Sequence, residues 1–127
     1  MINLTNEAIL PQEVLDSLKS DVSGSVVLHL GIVRPSSQGR QVNSIEYRIE
    51  KEKAWQELSS IANDIKGKWE IQDIALCRRM GNLGLGEIIL VAAVSAPPRK
   101  EAFEACQYAV ERLRSMTSVT KSEVYDR

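Results

Sequence analysis

The sequence is poor in the residues that enzymes most often use for nucleophilic or metal chemistry. Its 127 residues include one histidine, His29, and two cysteines, Cys77 and Cys106. A single histidine restricts the possible catalytic triads, and the two cysteines lack the spacing of metal ligands. We therefore expect no metal site at the cysteines, and we predict that both are buried free thiols. No cofactor is expected either.

A charge imbalance and a long apolar run are also missing. The formal net charge is -1 at pH 7, whereas a general nucleic-acid binder normally carries a strongly basic surface. The longest apolar run covers residues 88–94 and is far shorter than the roughly 20 residues that a spanning helix needs. Residues 1–7 lack the basic start and apolar core of a signal peptide. We expect a single cytoplasmic domain over residues 1–127, with neither nucleic acid nor a membrane as partner.

The sequence does contain well-separated helical and strand patterns. Apolar spacing predicts helices at residues 11–20, at 54–65 with Gly67 as a C-terminal stop, and at 99–114. Alternating or continuous apolar residues predict strands at 25–33, 45–49, 71–76, 87–95 and 119–125. We expect residues 34–41 to form a loop and 81–86 a turn. Because many predicted strands are adjacent in the chain, the order favours an α+β domain with a largely antiparallel sheet.

Cationic side chains stand at the ends of the predicted elements. These residues are Arg34, Arg78, Arg79, Arg99, Lys100, Arg114 and Lys121. Taken singly, each is more typical of a solvated surface charge. If the ends meet, they form an anion pocket, because a helix start adds free N–H groups and partial positive charge. A lysine in such a pocket can act as a nucleophile or general base, whereas His29, inside an apolar strand, is interpreted as a core or sheet-face residue.

Several ordered motifs point to one family. They are Gly31-Ile32-Val33-Arg34 at the end of a strand, Arg79-Met80-Gly81-Asn82-Leu83 before Gly86-Glu87, the segment 99–106 (RKEAFEAC), and Lys121-Ser122-Glu123. In this order, over residues 23–123, the chain resembles the large subunit of molybdopterin synthase.

The resemblance implies a fold, partners and a reaction. The fold would be an α/β-hammerhead-like domain with flanking helices. The subunit would form a homodimer that binds a small ubiquitin-like sulfur-carrier subunit, giving a heterotetramer. The thiocarboxylate at the carrier's Gly-Gly end would supply sulfur to cyclic pyranopterin monophosphate, a small phosphorylated pterin, and form the molybdopterin dithiolene of the molybdenum cofactor.

The resemblance also implies roles for individual residues. Lys121 and Arg114 fall on the two catalytic lysine positions of the family, and its substrate-binding arginines fall on Arg34 and Arg99. Lys100, Ser122 and Glu123, which neighbour these positions, are further candidates for substrate binding. The sequence departs from the family at Arg114, which cannot deprotonate, and at Arg78 and Pro98, where the family has histidines. These departures leave two alternatives open. One is a non-catalytic homologue that binds a pterin, another anion or a ubiquitin-like partner, and the other is a structural dimerisation domain.

Overall fold

Three helices and eight strands make up the part of the chain that the structure, a computed structural model, describes. This part comprises residues 1–19, 21, 24–37 and 39–125, with the backbone alone for residues 36, 37, 40 and 125. The elements are β1 (Ile2–Thr5), α1 (Pro11–Ser17), β2 (Ser25–Ile32), β3 (Ser36–Ser37), β4 (Arg40–Ile49), α2 (Lys51–Lys68), β5 (Asp73–Arg79), β6 (Gly81–Gly84), β7 (Ile88–Ala96), α3 (Arg99–Arg114) and β8 (Val119–Tyr125).

The strands form two sheets. The first sheet has the order β1-β5-β7-β2, antiparallel except for the parallel pair β1 and β5. In the second sheet, the long strand β4 pairs antiparallel with β3, β6 and β8. This arrangement confirms the expected α+β class with a largely antiparallel sheet.

Strand β7 is covered on both faces, as its continuous apolar sequence predicts. Leu90, Ala92 and Val94 pack in one cluster with the apolar faces of α2 and α3. Val91 and Ala93 pack in a second cluster with α1 on the opposite face. Since side chains alternate along a strand, every apolar residue of β7 meets a packed layer.

The two long helices present small or branched apolar residues to the first sheet. In α2 the buried positions are Ala54, Leu58, Ile61, Ala62 and Ile65, which recur at helical spacing. In α3 they are Ala102, Ala105, Cys106, Ala109 and Leu113. No helix within the described residues is long and apolar enough to cross a membrane.

Both cysteines are buried free thiols, as predicted. Cys77 lies on the α1 face of the first sheet, and Cys106 packs between α3 and the opposite face. Burial raises the pKa of each thiol to about 11. Both groups therefore stay protonated at neutral pH and behave as apolar core residues.

Some short elements differ from the sequence-based predictions. The predicted loop at 34–41 contains β3 and the start of β4, and the predicted turn at 81–86 contains β6 before a turn at Gly86. Residues 2–5 form a strand that local pattern did not indicate. Gly67 lies inside α2 and does not end it. The first helix ends at Ser17, and Ser20 lies outside the described residues. The short strands β1 and β6 are stabilised by pairing with β5 and β4, which are distant in the chain and therefore leave no local pattern.

Candidate anion-binding site

A cavity of about 410 Å³ lies between the two sheets. Its walls come from β2, β4, β5, β7, β8 and the C-terminal end of α3. Its lining residues are His29, Leu30, Gly31, Ile32, Arg34, Val42, Ile45, Tyr47, Arg78, Ile89, Leu90, Arg114, Met116, Val119, Lys121 and Glu123. The volume is within the range of small-molecule binding sites.

The charges that line the cavity are predominantly positive. Four cations, Arg34, Arg78, Arg114 and Lys121, share the walls with one carboxylate, Glu123. The cavity therefore carries a formal excess of three positive charges. Low-dielectric walls concentrate the field of such a set, so the arrangement favours a small anion with more than one negative charge.

Strand β8 brings Lys121 and Glu123 to the cavity. Its antiparallel register places Lys121 opposite Tyr47 and Glu123 opposite Ile45. Alternate residues of a strand share a face, so both side chains reach the same wall. Lys121 Nζ lies 3.0 Å from Glu123 Oε1, and the side chain of Lys121 is 46% exposed. Lys121 is thus the one lysine among the described lining residues, and it stands near solvent.

Ser122 lies on the other face of β8. It pairs with Glu46 and is absent from the described lining of the cavity. The structure therefore brings Glu123 to the predicted site but does not bring Ser122 there.

Arg78 is the most deeply placed of the four cations. Only 5% of Arg78 is exposed, and its guanidinium carbon lies 4.8 Å from the centre of the Tyr47 ring. Burial lowers the pKa of Arg78 and the charge of Arg114 lowers it further, while Tyr47 acts in the opposite direction. An arginine remains protonated even so, because its pKa starts far above neutrality.

The connection between α3 and β8 is held by a carboxylate of α2. Glu57 accepts hydrogen bonds from the backbone N–H groups of Thr117 at 3.0 Å and Ser118 at 2.7 Å. Burial opposes the charge of Glu57, but its hydrogen bonds with Ser118 and Thr117 together lower its pKa. Because Arg114 and Lys121 flank this connection, Glu57 helps to set where both cations stand.

Arg99 and Lys100 do not join this cavity within one chain. Both begin α3, are exposed, and are absent from the described lining. Arg114 ends the same helix, and at 1.5 Å per residue the two ends are about 22 Å apart. Within a single chain the structure therefore does not bring Arg99 and Lys100 together with Arg34 and Lys121.

Arg79 is held away from the cavity as well. Its guanidinium donates to Glu87 Oε1 at 2.9 Å and to the Asn6 carbonyl at 3.2 Å. Glu87 also accepts the N–H of Gly84. Arg79 therefore has a structural role, in which it stabilises the turn between β6 and β7.

Sequence reasoning named Arg78 as an end-of-element cation but gave it no role, and it missed Tyr47. The alternation of side chains along β5 could have identified Arg78 as a buried residue. Ile74 and Leu76 face the core beneath α2 and α3, and Arg78 continues the same face. His29 is a partly buried sheet residue at the cavity wall, in agreement with its sheet-face interpretation.

The described residues contain no group of three or more His, Cys, Asp or Glu side chains that could hold a metal ion. The polar groups that line the cavity are the four cations, one of them Lys121, the Glu123 carboxylate, His29 and Tyr47. Such a set binds and orients an anion, and its lysine can carry or transfer a proton.

Comparison with known proteins identifies the family. A family model described as "MoaE protein" matches residues 4–116. The chain belongs to the MoaE protein family. The match confirms the resemblance to the large subunit of molybdopterin synthase that the motifs indicated. It includes Arg34, Arg78 and Arg114 and ends before Lys121 and Glu123.

Relatives of the MoaE family align over most of their length. The molybdopterin synthase catalytic subunit of Bacillus subtilis is 32% identical over 97% of this chain and 78% of the relative. The catalytic subunit of Homo sapiens is 32% identical over 99% of this chain and 67% of the relative. The crystal structure of molybdopterin synthase from Staphylococcus aureus superimposes with a TM-score of 0.90 at 28% identity, covering 97% of this chain and 90% of that chain.

Proposed function

We propose that this chain is the catalytic subunit of a molybdopterin synthase and acts in molybdenum cofactor biosynthesis. It transfers sulfur from the thiocarboxylate of a small ubiquitin-like carrier to cyclic pyranopterin monophosphate, forming the dithiolene. The proposal rests on the cavity, whose four cations include one lysine, in a chain about 30% identical to catalytic subunits. Both reactants are anions, and the excess positive charge of the cavity matches them.

Lys121 is the proposed catalytic residue. Its ammonium group stands at the exposed side of the cavity, paired with Glu123 at 3.0 Å. A lysine there can give a proton to a leaving group, or attack an acyl carbon after deprotonation. Arg114 cannot deprotonate, so we assign it the role of a fixed charge that orients the anionic substrate or the carrier's end. Arg34 is assigned to substrate binding.

The proposal includes two kinds of partner. The chain of Helicobacter pylori in a structure titled as a complex of subunits 1 and 2 of molybdopterin-converting factor has the same fold, with a TM-score of 0.77 at 14% identity. By analogy we propose that a small carrier subunit docks at the exposed mouth of the cavity. We also propose a homodimer, and hence a heterotetramer, in which Arg99 and Lys100 serve the cavity of the second copy.

A cytoplasmic location is part of the same proposal. The two buried free thiols, Cys77 and Cys106, support it, because an oxidising compartment favours disulfides.

A reconstituted synthase assay tests the function. Purified protein, a thiocarboxylated carrier and cyclic pyranopterin monophosphate are combined, and the dithiolene is measured as its fluorescent oxidised derivative. Lys121→Ala should lower the rate by about 100-fold or more, the usual scale for a general acid or base. Lys66→Ala, which removes an exposed lysine of α2, is the matched control and should keep the wild-type rate.

The second candidate is a non-catalytic binding protein on the same fold. It is favoured by Arg114, a residue in the cavity that holds charge but cannot exchange a proton. Absence of product with the wild-type chain, together with retained phosphate or carrier binding, would establish this candidate and reject the enzyme. Arg114→Lys separates the two further, since a large gain of activity would identify a site that has lost its lysine.

A further inference from the structure

Arg78 is a buried arginine whose hydrogen bonding is incomplete. It is 95% buried, and its Nε atom makes no hydrogen bond to any described residue. A guanidinium has five donors in a fixed planar arrangement, and a buried donor without an acceptor destabilises the folded state. Such a group in the wall of a cavity indicates a ligand that supplies the acceptor.

The surroundings of Arg78 offer it a ring but little negative charge. Its guanidinium lies over Tyr47, which supplies a cation–π contact. The described carboxylate in the cavity lining is Glu123, whose Oε1 is engaged by Lys121 at 3.0 Å. Arg114 is close enough to repel Arg78 electrostatically. The described lining of this partly closed cavity therefore holds more cations than carboxylates.

We propose that Arg78 lies at the base of a phosphate-binding subsite, here called the phosphate seat. With Arg114, it binds the phosphate group of the small substrate. A phosphate presents several strong acceptor oxygens, and the planar guanidinium binds two of them side by side. This inference rests on the proposed function for the identity of the anion. It adds a binding residue at position 78, where the family resemblance places a histidine.

The position of the seat also orients the ligand. Arg78 is buried, whereas the side chain of Lys121 is 46% exposed and lies at the solvent-facing part of the wall. A ligand that fills the cavity of about 410 Å³ with its phosphate against Arg78 presents its other end towards Lys121. The end of the carrier arrives from solvent and meets that same side. The phosphate and the carrier's carboxylate thus use different cations.

Calorimetric titrations of Arg78→Met test the proposal with two probes, inorganic phosphate and a short peptide ending in Gly-Gly. Methionine keeps most of the length of the side chain and removes the charge. Phosphate should bind about 10- to 100-fold more weakly to the variant, the usual effect of losing a charge-assisted hydrogen bond. Peptide affinity should stay within about twofold, which is the scatter expected without a direct contact. Arg48→Met is the charge-matched control, since Arg48 is an exposed residue of β4 with an 81% exposed side chain, and it should bind both probes as wild type does.

Thermal unfolding separates a binding role from a structural one. In phosphate-free buffer Arg78→Met should melt at or above the wild-type temperature, because the change removes an uncompensated buried charge. Added phosphate should raise the melting temperature of wild type and leave that of Arg78→Met nearly unchanged. If Arg78 were a structural contact with Tyr47, the variant would instead melt lower with or without phosphate.

Arg78→Lys tests the planar donor set while keeping the charge. It should bind phosphate about 10-fold more weakly than wild type, because lysine lacks the side-by-side donors. Wild-type phosphate affinity in either variant would overturn the proposal, as would a loss confined to the Gly-Gly peptide.

The synthase assay distinguishes this inference from the proposed function. Product formed by Arg78→Met with an unchanged KM would refute the phosphate seat and leave the enzyme established. No product from wild type, with phosphate affinity that still depends on Arg78, would refute the enzyme and leave the seat.

Discussion

Removing the carboxylate of Glu57 should loosen the connection that carries Arg114 and Lys121 to the cavity. Glu57 accepts two backbone N–H groups, from Thr117 at 3.0 Å and Ser118 at 2.7 Å. A hydrogen bond to a charged group contributes about 1.5–3 kcal/mol. Because one partly exposed carboxylate makes both bonds, we expect Glu57→Ala to lower the free energy of unfolding by about 2–3 kcal/mol. For a chain of this size that is a fall of about 8–12 °C in melting temperature.

The pH dependence of stability provides an independent check on this role. The folded-state pKa of Glu57 lies below its ordinary value, so its stabilising effect is present above the unfolded-state pKa. It is lost as pH falls from that value through the folded-state pKa. The stability difference between wild type and Glu57→Ala should therefore be full at pH 7 and should shrink at acidic pH. Glu57→Gln keeps one acceptor oxygen and should show roughly half of the loss at pH 7.

Circular dichroism melts and the synthase assay measure both consequences. We expect the kcat/KM of Glu57→Ala to fall about 10-fold, since a small displacement of catalytic groups is enough to disturb a reaction geometry. Glu104→Gln removes an exposed carboxylate from α3 and should change neither quantity. A melting temperature for Glu57→Ala within about 2 °C of wild type would refute the argument from the two hydrogen bonds. Lower stability with unchanged kcat/KM would refute the link to the site.

Three further predictions concern the glycines and cysteines. Gly67→Ala should raise the free energy of unfolding by about 0.5–1 kcal/mol in a denaturant titration, because Gly67 lies inside α2 with open space around the added methyl group. Gly24→Ala should lower it by about 1–3 kcal/mol in the same titration, because its methyl group would lie 2.6 Å from a backbone carbonyl oxygen. Iodoacetamide at pH 8 should leave Cys77 and Cys106 largely unmodified in the folded protein and label both after denaturation, as mass spectrometry can show, because burial raises both pKa values to about 11.

The elements that the sequence predicts well are those whose local pattern matches their tertiary burial. Helices α2 and α3 carry apolar residues at helical spacing, and β7 is apolar from Ile88 to Val94. Strands β1 and β6 carry no such pattern. They have four residues each, and their stability comes from pairing with β5 and β4 across long chain separations. The pattern of neighbouring residues therefore does not predict that pairing.

The candidate site was predicted in part, for a related reason. Cations at the ends of elements were recognisable from the sequence, but helix α3 has cations at both ends. The pairing of β8 with β4 selects the end that carries Arg114, because β8 returns across the second sheet directly after that end. Arg99, at the other end of α3, is kept away from the cavity of its own chain by the length of the helix. Only this long-range strand pairing decides which end of α3 contributes a cation to the cavity of the same chain.

Arg78 and Arg79 are adjacent in β5, but Arg78 lines the cavity and Arg79 makes structural contacts. Arg79 lies on the face that meets Asn6 and Glu87, and each of these contacts stabilises a turn or a connection. Arg78 lies on the opposite face, buried beside Tyr47 and lacking a partner at Nε. If folding alone selected this position, an apolar residue that continues the face of Ile74 and Leu76 would be more stable, since an unpaired buried charge is destabilising. A buried arginine at this point is therefore best explained by the anion that we propose for the cavity.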